Sequence, residues 1–139
     1  MRVAKEFFVE RDRGEILSLL DEDVTFESLF PGMRVTKRDG PRREIVAPNP
    51  APGTDRPVRF RFETLPDGNL RFDKICDGNI WRSLAGGIEL EPSGHARTRV
   101  KLRLEGKTRS LVPELAIRLP MREQVDQMTE SLRVRLGAG

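Results

Sequence analysis

The period of the hydrophobic pattern changes once along this chain, and that change constrains the fold more than any other feature. Val58, Phe60 and Phe62 alternate with Arg59, Arg61 and Glu63, and Val100, Leu102 and Leu104 alternate with Arg99, Lys101, Arg103 and Glu105. A strand points successive side chains to opposite faces, so these runs describe a sheet with one buried and one wet face. Further on, the spacing becomes three and four through Met121, Val125, Met128, Leu132 and Leu136, ending before Gly137. That is one apolar stripe along a helix. The sheet and the helix each need cover for one apolar side, and each can supply it to the other.

Turn residues divide the strand region. Asp39 and Gly40, Pro66 to Asn69, Asp77 to Asn79 and Pro92 to Gly94 carry the residue types that hairpin turns require. They leave strands at Met33 to Lys37, Arg43 to Ala47, Val58 to Leu65, Leu70 to Cys76, Ile80 to Leu90 and Arg97 to Glu105. Another strand precedes them at Arg2 to Glu10, where Val3, Phe7 and Val9 share one side with Lys5 as the exception. Two short helices follow it. Asp12, with Glu15 behind it, opens one through Ile16, Leu17 and Leu20; Asp21 or Asp23 caps a second that carries Val24, Phe26, Leu29 and Phe30 and stops at Pro31 and Gly32. Pro48 to Pro57 reads as a loop at a cavity mouth or sheet edge, because its prolines cannot donate to a ladder. Pro113 suits the first turn of the long helix, whereas Pro120 is expected to kink that helix or break it in two.

A chain of 139 residues is expected to form one domain over 1–139. Its net charge of +3 comes from 25 Lys and Arg against 22 Asp and Glu, interleaved along most segments. This is a mixed-sign surface, and no nucleic-acid partner is expected. The basic stretches Arg34 to Arg43 and Arg97 to Arg109 read as solvated faces of strands. Cys76 is the single cysteine, which excludes an intrachain disulfide and fits a reducing cytoplasm. There is no signal-type apolar segment and no run of the ~18 apolar residues that a spanning helix needs, so a cytoplasmic location without a transmembrane segment is expected. A transient contact with a membrane surface and the oligomeric state are left open.

Family likeness resides in the order of elements and in two stretches. Leu84 to Gly94, with Gly86, Gly87, Ile88, Pro92 and Gly94, is followed by Thr98, Val100, Leu102 and Leu104. This resembles the penultimate hairpin of the polyketide cyclase/dehydrase and coenzyme Q-binding branches of the START-like superfamily, also called SRPBCC. Ser28 to Met33, with Pro31 and Gly32, resembles a turn of the branch associated with carbon monoxide dehydrogenase. The resemblance implies an α+β helix-grip fold: a curved antiparallel sheet of about six or seven strands around a long C-terminal helix, with two short helices after the first strand. The pair Gly86 and Gly87 suits such a sheet, which needs positions without a Cβ where strands bend.

Chemistry-bearing motifs are sparse. His95 lies in a turn as an isolated imidazole, and Cys76 beside Asp77 reads as structural. No phosphate loop, nucleophile elbow or zinc spacing occurs, so neither a cofactor nor a metal is expected. Asp73, Arg82 and Glu89 are the candidates for moving protons, provided strand parity or a bulge turns them inward.

The resemblance further implies a pocket between sheet and helix. Its candidate walls here are Phe7, Val9, Val58, Phe60, Phe62, Phe72, Trp81, Leu84, Ile88, Leu102, Val125, Met128 and Leu132. Walls of that kind favour a hydrophobic small molecule, such as a lipid, isoprenoid quinone or polyketide, held without catalysis. Pro48 to Pro57 and the Pro120 region would form the gate. The rival reading is a polyketide cyclase, aromatase or dehydratase built on Asp73, Arg82 and Glu89. A third is a module that binds a protein or membrane surface through Arg97 to Lys107 or through the closing helix.

Overall fold

The computed structural model describes residues 2–29, 32–47, 58–75, 81–108 and 113–137. Strand β1 (Arg2–Val9) leads into helices α1 (Arg13–Leu20) and α2 (Asp23–Glu27). Strands β2 (Arg34–Asp39), β3 (Arg42–Ala47), β4 (Val58–Thr64), β5 (Leu70–Lys74), β6 (Trp81–Pro92) and β7 (Thr98–Thr108) follow, and helix α3 (Glu114–Arg135) comes last. The strands form one seven-stranded sheet in the order β1-β7-β6-β5-β4-β3-β2. All neighbours are antiparallel, so the chain adopts the helix-grip α+β fold.

Cross-strand register shows how the alternating pattern becomes a face. Phe62 stands opposite Phe72, Phe72 opposite Gly86, and Gly86 opposite Leu104. Gly86 has a direct steric reason: a Cβ there would lie 2.2 Å from the Arg103 carbonyl oxygen and 2.6 Å from Phe72 Cζ. The glycine is the space into which the Phe72 ring fits.

Helix α1 begins as the sequence indicates, with the Asp12 carboxylate accepting the Glu15 N–H at 2.9 Å. Helix α2 departs from expectation. It has only five residues, its N-cap is Glu22 without a side-chain cap bond, and neither Asp21 nor Asp23 caps it. Arg38 and Arg43 engage those carboxylates instead, since a charged guanidinium makes a stronger hydrogen bond than a backbone amide. Pro120 does not break α3, which runs 22 residues from Glu114 to Arg135. One missing backbone bond costs about 3 kcal/mol, and it falls early in a helix whose later turns bury Met121, Val125, Met128, Leu132 and Leu136. Residues 48–57 and 76–80 lie outside the described residues, as do the side chains of Val58, Trp81 and Pro120.

Candidate functional site

The inner face of the sheet is covered unevenly. Helix α3 makes its close approaches to β1 and β7, while α2 lies beside β2 at the opposite edge. Under α3 the wall is mainly aliphatic: Val9, Val100, Leu102 and Leu104 from the sheet meet the buried stripe of the helix, with Phe7 of β1 partly buried on the same face. Lys5 explains itself here. Its register opposite Leu102 turns it inward, where it forms a salt bridge with Asp126 of α3.

On β4 and β5 the wall is aromatic. Phe62 stacks on Phe72 with centroids 4.9 Å apart, Phe26 of α2 meets Phe62 edge-on at 5.2 Å, and Phe60 lies 6.4 Å from Phe62. Such pairs prefer stacked or edge-to-face geometry because of the ring quadrupole. Of the candidate pocket residues, Val9, Phe62, Phe72, Leu84, Ile88, Leu102, Val125, Met128 and Leu132 meet in one contiguous core, each 5% exposed or less. Phe7 and Phe60 are partly buried against it.

Arg43 is a central residue that the pattern of charges concealed. It belongs to the basic stretch Arg34 to Arg43, yet it pairs with Phe62 and shares the inner face with Ile45. The residue is 3% exposed. Its Nε donates to Asp23 Oδ1 at 3.0 Å, its Nη2 donates to the Asp21 carbonyl oxygen, and the guanidinium lies 4.6 Å from the Phe26 ring centre. Position parity with Ile45 was the available signal. Arg135 of α3 closes the arrangement from the other side, pairing with Glu22 and donating to Thr25 Oγ1 at 3.1 Å.

Asp73 and Glu89 lie on the opposite, outer face. Asp73 pairs with Arg61 at 2.7 Å and Glu89 with Arg103 at 3.7 Å. Arg82 is exposed at an irregularity between Trp81 and Ser83, and His95 is exposed in its turn. The arginines of the basic strand are met by neighbouring carboxylates: Arg99 meets Glu6 and Glu91, Arg97 meets Glu10, and Arg103 also meets Glu105. A cleft of about 400 Å³ is bordered by charged residues of both signs, among them Lys37, Asp39, Arg42, Glu44, Arg61 and Asp73, and reaches Arg43 and Phe62. Its alternating charges leave no single sign for a ligand to answer. Among the described residues, no group of three or more His, Cys, Asp or Glu could hold a metal ion.

This fold is shared with solved structures of low sequence identity. No protein-family model matches the chain, and no curated protein matches it in sequence. Solved structures match the fold over nearly its whole length. An aromatase/cyclase, Zhui of Streptomyces sp. R1128, is 15% identical with a TM-score of 0.75, covering 99% of this chain and 92% of that one. A protein of Thermus thermophilus is 20% identical with a TM-score of 0.75, covering 99% and 98% respectively. A START superfamily protein of Mycobacterium smegmatis is 13% identical with a TM-score of 0.72, covering 97% and 96%.

Proposed function

We propose that this chain binds a hydrophobic small molecule on the inner face of the grip and catalyses no reaction on it. The observation that carries this reading is the uneven cover. The long helix lies on the aliphatic strands, while on the aromatic strands Phe62 stacks on Phe72 and meets Phe26 of the five-residue α2, and Phe60 is only partly buried. Flat aromatic walls suit a polycyclic or isoprenoid body through area and shape.

The chemistry of the walls supports binding over catalysis. Arg43, the buried cation among the described residues, is already engaged by Asp21, Asp23 and Phe26. Asp73 and Glu89, which the cyclase reading needs inside, make their ion pairs outside. The neighbours named for aromatase/cyclase activity and for the START superfamily share the fold, and their names motivate the choice of probes. Residues 48–57 and the turn around Pro120 are the proposed gate.

Native mass spectrometry of protein purified without detergent, followed by titration with a fused-ring aromatic, a quinone and a fatty acid, tests this directly. A one-to-one adduct is expected, with stabilisation of about 2.7 kcal/mol at a hundredfold excess over Kd. No adduct and no thermal shift with any of these probes would refute the reading.

A further inference from the structure

One end of the grip collects cations that have no carboxylate partner among the described residues. Along the middle strands of the outer face the arginines are matched: Arg61 with Asp73, Arg71 with Glu63, Arg99 with Glu6 and Glu91, and Arg103 with Glu89 and Glu105, whereas Arg34 and Arg42 at the far edge are exposed without a carboxylate partner among the described residues. Lys101, without an ion pair itself, still stands between Glu6 and Glu89 in the register. Where β6 begins and β7 ends, this matching stops. Arg82 falls at the irregularity, Lys107 stands opposite Ser83, and both are exposed with no carboxylate partner among the described residues.

The chain passes from that end of β7 into α3, whose early turns present Arg118 and Arg122, likewise exposed and without a carboxylate partner among the described residues. Between them Leu119 is 65% exposed. Glu123 adjoins this patch, and Glu114 stands one turn before Arg118 with its side chain outside the described residues. The exposed Phe8 and Val134 lack such a setting, and Val24 follows the acidic run Asp21 to Asp23. Phe8 is covered by the Arg97 guanidinium at 4.2 Å, and Val134 lies beside Arg133 and Arg135, which are paired with Glu130 and Glu22. A leucine framed by unmatched cations is complementary to a surface that is anionic outside and apolar beneath.

We propose that this end of the grip docks on an anionic phospholipid bilayer. Leu119 enters the headgroup region, and Arg82, Lys107, Arg118 and Arg122 face the lipid phosphates. Each cation near such a surface is worth about fivefold in affinity, so the attachment is weak and reversible. Among the described residues, no helix is long and apolar enough to cross a membrane, and the docking requires none. The inference rests on the proposed lipophile site for its purpose, since a carrier that docks there can exchange its cargo with the bilayer.

Co-sedimentation with phosphatidylcholine vesicles, and with vesicles of equal parts phosphatidylcholine and phosphatidylglycerol, provides the test. Binding to the mixed vesicles alone is expected, weakening as salt rises. R118Q and R122Q should each lower it about fivefold, and L119S should lower it by a similar factor even at low salt. All these side chains are exposed, and circular dichroism checks that each variant remains folded. Failure to bind mixed vesicles, equal binding to both vesicle types, or wild-type binding by these variants would overturn the proposal. A bound lipophile without vesicle binding defeats docking alone; vesicle binding without any lipophile defeats the proposed function alone.

Discussion

The two halves of the inner face are built from different materials. Beneath α3 the contacts are mainly aliphatic and the cover is a helix of 22 residues. On β4 and β5 they are aromatic, and Phe62 there meets Phe26 of a five-residue helix held by Arg43 and Arg135 through Asp21, Asp23 and Glu22, with α1 alongside it. Hydrophobic burial is undirected and grows with area, so the first half behaves as a core. The second half depends on directional, charge-assisted bonds to partly exposed carboxylates, which open locally at lower cost. On the proposed function, stability and ligand access thereby fall to different sides of one sheet.

The largest effect should appear in the aliphatic half. Leu132→Ala is expected to cost about 4 kcal/mol in urea denaturation, because its site beneath the helix collapses poorly. A loss near 1 kcal/mol would mean that α3 is less firmly seated than its buried stripe implies. Gly86, in the row that joins the halves, comes next. Gly86→Ala should cost about 3 kcal/mol through overpacking against Phe72 and the Arg103 carbonyl. A neutral result would show that the row can relax.

Arg43→Met sharpens the contrast from the aromatic side. It keeps much of the side chain's volume but releases Asp21 and Asp23, and should cost about 2 kcal/mol, less than a fully buried broken pair because those carboxylates are partly exposed. Protection of α2 amides from hydrogen exchange should fall further than that of α3, and equal loss in both helices would contradict separate cover. Phe60→Ala should separate stability from binding. Partial burial limits its cost to about 1 kcal/mol, while affinity for a fused-ring probe should fall about tenfold; unchanged affinity would place the ligand elsewhere. Smallest of all is Arg99→Gln on the outer face, expected to cost about 0.5 kcal/mol, to fade at high salt and to leave ligand binding unchanged.

Much of this organisation was legible before the fold was known. Val100, Leu102 and Leu104 declared their inward face by alternation, and Met121 through Leu136 declared theirs by helical spacing. Asp12 and Glu15 marked the start of α1 because capping is settled within a few residues. Arg43 was harder to read. Its charge argued for solvent while its position argued for the core, and the conflict is resolved by carboxylates just before and at the start of α2, distant in sequence. Those same aspartates misled the reading of α2, since local capping lost to a long-range guanidinium. Pro120 misled in the opposite way: its local cost was real but smaller than the burial gained by the turns that follow.

The sequence by itself determined which faces are apolar, where most turns fall and that a long helix closes the chain. All of these follow from interactions among residues close in the chain, where periodicity and turn chemistry act. The tertiary structure alone decided that α3 lies over β1 and β7, that Asp73 and Glu89 face away from the interior and that Phe62, Phe72 and Gly86 form one row. Those are matters of register and cover between distant segments. Shifting a strand by one residue turns its whole apolar set to the other face, and only packing against the rest of the molecule selects among the alternatives.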